Sequence, residues 1–241
     1  MTEEPYRWLE AIGNRREYIR DQLKGGTPVF AISRPEGIFL LGVGAGMSKV
    51  FEIYDRHAFA ALGHPVDIEK IRQAAIEAAH VEGFNRSTKD VTLRRLISFA
   101  LSTTLKNSFE QIFAPPLMVE SIFAELGDSP KDDVLVRVHY DGNHHYVASG
   151  VLVAHSNAKQ EEEGTAWLKQ QFKANDSLAQ VASICLSAWQ AFREEKPFAE
   201  LSPPAEPLLQ IEGKTIEAAL LDRKLRGPVH YRSLNLTQLK R

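Results

Sequence analysis

The stretch Ile38 to Asp55, IFLLGVGAGMSKVFEIYD, sets Gly42, Gly44 and Gly46 just ahead of Ser48 and Lys49. Glycines before a lysine and a hydroxyl residue suggest phosphate binding, in which backbone amides cradle the anion and the ammonium neutralises it. The spacing does not complete either known pattern. Gly42, Gly44 and Gly46 give G-x-G-x-G, with Met47 where a dinucleotide loop needs its third glycine. In a phosphate loop lysine precedes the hydroxyl residue; here Ser48 precedes Lys49. Both patterns need a helix to follow, because its first amides hold the phosphate. Val50, Ile53 and Tyr54 make the following run extended instead. The reading is a glycine-rich strand connection that carries one lysine. His139, His144 and His145 cluster around Asp141-Gly142, a tight-turn signal. A metal would need converging ligands and groups to orient them, so solvated turn histidines are expected and no metal. Cys185 falls on an apolar helix face and reads as a small buried hydrophobe. No cofactor is implied.

The elements that must position these residues follow from periodicity and punctuation. Residues 6–24 read as a helix, with Leu9, Ile12, Ile19 and Leu23 at helical spacing, arginines between them, and Gly25-Gly26 as its stop. TPVFAISRPEGIFLLG and KVFEIYDRHAFAALG each read as strand, turn, strand, and without a crossover helix these are antiparallel hairpins. Two helices follow, about 66–82 and a second that starts from a cap at Ser87-Thr88-Lys89-Asp90 and stops at Pro115-Pro116. LMVESIFAEL, VLVRVHYDG and HYVASGVLVA read as three strand regions. Helices follow at about 161–174 and 177–193, where Trp167 and Trp189, like Trp8 in the first helix, read as packing residues. A proline-rich connection leads to LLQIEGKTIEAALLDR, a closing hairpin. Blocks of strands alternating with helix pairs indicate an α+β layered fold and not a parallel sheet.

The totals suit a folded globular protein of one large domain or two small ones. The chain has 241 residues, 44% hydrophobic and 25% charged, with a formal net charge of -2. That balance opposes nucleic-acid binding, which needs a cationic surplus. No apolar run approaches the roughly 20 residues of a membrane span. One cysteine and no basic-then-apolar leader predict a cytoplasmic location.

SKVFEIYDRHAFAALG resembles the strand pair before the first long helix of proteasome core-particle subunits, most closely the bacterial α-type. EGFNRSTKDVTLRRL resembles that family's entry to its second long helix, LMVESIFAELG the strand after it, and VRVHYDG the stretch ending in Tyr-Asp-Gly. The N-terminal helix running into Gly-Thr is similar to the α-type's extra first helix. The resemblance covers about residues 5–195. It implies a four-layer αββα sandwich, two antiparallel sheets flanked by helix pairs, with an extra N-terminal helix. The implied boundaries are a gate-like segment at 1–7, a helix at 8–24, the sandwich at 25–222 and a tail at 223–241.

Catalytic members use an N-terminal threonine whose own amine is the base. The counterpart here is Thr27, with Lys49 as the supporting cation. Pro28 follows Thr27, and Val43 stands near the expected aspartate, with no acid between Gly37 and Glu52. The resemblance therefore implies a subunit that is not an enzyme by itself. Such a subunit forms a seven-membered ring with itself, caps β-type threonine peptidase rings, gates the entry of protein substrates and docks a ring-shaped ATPase or other activator. Lys49 matches the lysine that pairs with the activator's terminal carboxylate, Gly26 is counted with it in the activator-tail site, and Met1, Thr2, Glu3, Glu4, Pro5 and Tyr6 match the gate. The Tyr-Asp-Arg gate motif of other members is absent there; Pro5-Tyr6-Arg7 stands instead. Two alternatives stay open: a self-processed threonine hydrolase with Thr27 as nucleophile, and a free-standing ring-forming homologue.

Overall fold

The computed structural model describes residues 4–148, 150–202 and 209–235. The two predicted hairpins form as β1 (Val29–Arg34) with β2 (Gly37–Gly44), and β3 (Val50–Tyr54) with β4 (His57–Gly63). Later come β5 (Val119–Glu125), β6 (Val134–Val138), β7 (His144–Ala148), β8 (Val151–Ala154), β9 (Thr215–Asp222) and β10 (Tyr231–Leu234). One sheet has the order β10-β9-β2-β1-β8 and the other β3-β4-β5-β6-β7, and every neighbouring pair is antiparallel.

Side chains alternate across each sheet, which sorts the apolar residues into three layers. From β1 and β2, Val29, Ala31, Ile38 and Leu40 face the other sheet, where they meet Ala58, Ala60, Leu62, Ile122 and Ala124. The alternate residues Phe30, Ile32, Phe39 and Leu41 face outward under α5 (Ala158–Gln171) and α6 (Leu178–Glu194). On the second sheet Phe59 and Phe123 lie under α2 (Pro65–Asn85), α3 (Leu93–Leu96) and α4 (Ser102–Glu110). Alanines and aliphatic residues fill the layer between the sheets, and the phenylalanines lie beneath the helices. Each fully buried phenylalanine contributes about 1.5–3 kcal/mol. The fold is the four-layer α+β sandwich expected, with α1 (Glu4–Leu23) as the additional helix.

Four local expectations are corrected. First, Ser87 caps only a short 3-10 turn at Thr88–Asp90, accepting from the Lys89 amide. The second long helix begins at Leu93, because the Glu125 carboxylate on β5 accepts the Leu93 N–H at 2.7 Å. A π-helical turn at Ile97–Leu101 joins α3 to α4. Second, HYVASGVLVA is two strands in different sheets: β7 pairs with β6 and β8 with β1. Third, the closing hairpin is β9 with β10, so residues 231–234, placed in the tail, complete the first sheet, while residues 209–214 form no strand. Fourth, Trp8 is 48% exposed, whereas Trp167 and Trp189 are buried. Ile19 and Leu23 of α1 are buried in the core, and Ile12 packs against it.

Glu125 gives an acid-stability prediction. Burial works to raise its carboxyl, but His57, the Leu93 amide and Arg56 outweigh burial and hold it below the ordinary 4.5. A carboxyl that binds its proton less readily when folded stabilises the fold above its unfolded value and loses that contribution as pH falls through the folded one. Wild type is therefore expected to be about 1–2 kcal/mol more stable than Glu125→Gln near pH 7. In urea titrations that gap should close below pH 4.5.

Candidate functional site

The β1–β2 register, in which Val29 lies opposite Gly42, brings the residues before β1 alongside the end of β2. Thr27 thereby meets Lys49 as the chain returns into β3. Lys49 Nζ lies 2.5 Å from Thr27 Oγ1 and 3.0 Å from the Thr27 carbonyl oxygen. Thr27 Oγ1 donates its own hydrogen to the Val43 carbonyl at 2.7 Å, so it accepts from the lysine. The Lys49 and Val50 amides donate to Glu217 Oε2 at 2.8 and 3.3 Å.

The glycine cluster has a packing role. A Cβ on Gly42 would lie 2.9 Å from Lys49 Cβ, so the missing side chain makes room for the lysine stem. Gly26 closes α1 by donating to the Leu23 carbonyl at 2.8 Å. A Cβ there would come within 2.7 Å of Leu62 Cδ1. The structure thus brings Lys49 onto Thr27, with Gly26 next to it in the chain and packed toward Leu62. Burial lowers the Lys49 pKa to about 8; Glu217 opposes that shift and Lys214 adds to it.

Val43, near the expected position of an aspartate, is fully buried and offers only its carbonyl. The carboxylate nearby comes instead from Glu217 on β9, 168 residues from Lys49 in sequence. Sequence reasoning missed it, and its only signal is the pairing of β9 with β2, in which Glu217 lies opposite Gly42. Sequence reasoning also missed Arg137, which lies fully buried on β6. Its guanidinium meets Glu120 at 2.6 Å and Glu161 at 2.9 Å, and donates to the carbonyls of Ser121, Val138 and His155.

The first helix is held against α4. Arg15 donates to the carbonyls of Ser108, Ile112 and Ala114, which α4 and its exit leave open. Arg16, one of the arginines between the apolar positions of the first helix, stacks over the Phe109 ring at 5.7 Å. Of the expected gate residues, Met1, Thr2 and Glu3 lie outside the described residues, and Glu4, Pro5 and Tyr6 begin α1.

His139 Nδ1 lies 3.0 Å from Glu120 Oε2, and His144 Nδ1 3.2 Å from the Gly142 carbonyl. Among the described residues no group of three or more His, Cys, Asp or Glu could hold a metal ion. Cys185 is fully buried, and burial pushes its thiol pKa up. Among the described residues no helix is long and apolar enough to cross a membrane.

No family model matches the chain. Curated relatives do. The chain is 31% identical over 221 residues to a proteasome subunit alpha of Actinosynnema mirum, covering 89% of this chain and 77% of that protein. It is 30% identical over 220 residues to the proteasome subunit alpha of Streptomyces coelicolor, covering 89% and 79%. With that of Renibacterium salmoninarum it shares 30% identity over 231 residues, covering 92% and 86%. Identity at this level along most of both chains accompanies the αββα sandwich, the added helix and the Thr27–Lys49 geometry, and the chain belongs to the bacterial proteasome α-subunit family.

Proposed function

We propose that this chain is a non-catalytic outer-ring subunit of a cytoplasmic proteasome core particle. It forms seven-membered rings with itself, caps β-type threonine peptidase rings, gates the entry of protein substrates and docks a ring-shaped ATPase or other activator. The observation that supports this most is the seat of α1. Ile19 and Leu23 are buried between the sheets, and Arg15 caps the far helix. A helix seated in the core in this way supports retention of the segment ahead of Thr27, which would leave that threonine without the free amine a nucleophile needs. Electron microscopy of the chain, alone and co-expressed with a β-type partner, tests assembly. Seven-fold rings are expected, and their absence in both samples contradicts the proposal.

Lys49 supports the docking role. Among the described residues its amine hydrogen-bonds only to Thr27 oxygens, and the neighbouring Glu217 is taken by backbone amides. An activator's terminal carboxylate would therefore meet a cation with no carboxylate partner on Nζ. Because the Lys49 pKa is lowered to about 8, tail binding should be strongest below that pH and weaken as the ammonium deprotonates above it. Fluorescence anisotropy of a labelled activator-tail peptide between pH 6.5 and 9.5 reads this; affinity that is flat across pH 8 removes Lys49 as the anchor.

The contact between Thr27 Oγ1 and Lys49 Nζ favours a second reading, a self-processed threonine hydrolase. That reading requires loss of residues 1–26, and the intact mass of purified protein decides it.

A further inference from the structure

A hollow of about 790 Å³ lies between α1, β5, the β6–β7 turn and the start of α5. Its volume is that of a small-molecule site. Its floor is acidic, but its carboxylates are already engaged. Glu120 and Glu161 both pair with the buried Arg137, Glu120 also meets His139, and Glu161 accepts the His155 amide. Of the other acids in the lining, Asp141 accepts from the backbone and side chain of Asn143, which leaves Asp21.

The wall formed by α1 is cationic. Arg16 and Arg20 on α1, and Lys24 in the turn just after it, line the hollow at four-residue intervals, about 6 Å per step. Among the described residues none of the three has a carboxylate within ion-pair distance, and Arg16 meets only the Phe109 ring. Arg20 and Arg16 are also close enough to act electrostatically on Tyr140, which closes the opposite side. Three cations in a row span about 12 Å, more than one small anion can reach. Two of them are guanidinium forks, which suit phosphate oxygens.

We propose that this hollow binds a small oligophosphate, with Arg16, Arg20 and Lys24 each taking a phosphate group along its length. The proposal is independent of the role of Lys49, since Thr27, Lys49 and Glu217 do not line the hollow. Isothermal titration of the full chain with inorganic tripolyphosphate and with orthophosphate tests it. Saturable binding of one tripolyphosphate per chain is expected, with orthophosphate much weaker. Arg16→Gln with Arg20→Gln should weaken tripolyphosphate about tenfold or more, while Arg72→Gln on α2 should not. The unliganded melting temperature of each variant checks folding, and Arg20→Gln alone, at an exposed position, gives the same reading if the pair is unstable. A nucleoside triphosphate in a further titration separates a nucleotide from a free oligophosphate as the source. Non-saturable binding, or equal loss in Arg72→Gln, overturns the proposal.

Discussion

Replacing Arg137 with methionine is expected to lower the unfolding free energy by about 3–5 kcal/mol, read as a lower urea midpoint. The size follows from what is left behind. Arg137 is fully buried, and its guanidinium holds Glu120 on β5 and Glu161 on α5 while donating to three carbonyls. Burial opposes its charge, but Glu120 and Glu161 outweigh burial and raise its pKa. Methionine fills much of the volume and leaves two carboxylates without their cation. With total stabilities of about 5–15 kcal/mol, that loss is a large part of the whole. The pair also spans layers: β5 and β6 belong to one sheet, and α5 covers the other. Adding Glu120→Gln and Glu161→Gln to Arg137→Met should recover part of the loss, because the uncompensated charges are then gone. No recovery would mean that packing, and not charge, dominates this site.

Lys49→Ala is expected to bring activator-stimulated peptide hydrolysis by the assembled particle down towards its level without activator. A charge-assisted hydrogen bond to a carboxylate contributes about 1.5–3 kcal/mol, so tail affinity should fall about tenfold or more. Lys49→Arg keeps the charge but not the fit, since Gly42 leaves room for a slender stem and Thr27 holds a single ammonium. Only partial stimulation is expected from it. Unchanged stimulation by Lys49→Ala would remove the lysine from activator docking.

The hairpins were legible because turn chemistry and alternation act within a few residues. Pro35-Glu36 and Asp55-Arg56 fall between the strands as expected. Long-range partners hid the rest. The start of α3 depends on a carboxylate from β5, and a local cap motif gave a start several residues too early. HYVASGVLVA carries a turn signal in Ser149-Gly150, but the assignment of its two halves to different sheets depends on long-range pairing. The final strand reads as tail because YRSL is short and polar, and it gains its place by pairing with β9. At the site, Thr27, Lys49 and Gly26 could be named from the chain, whereas Glu217 and Arg137 could not. Their partners lie on elements that only the folded topology brings near.

Native mass spectrometry of the particle assembled with a β-type partner tests the central claim most directly, because it reads ring composition and subunit mass together. The expected result is a ring of seven copies, each at the full 27.0 kDa. Copies beginning at Thr27, with residues 1–26 lost, would contradict a non-catalytic outer-ring subunit.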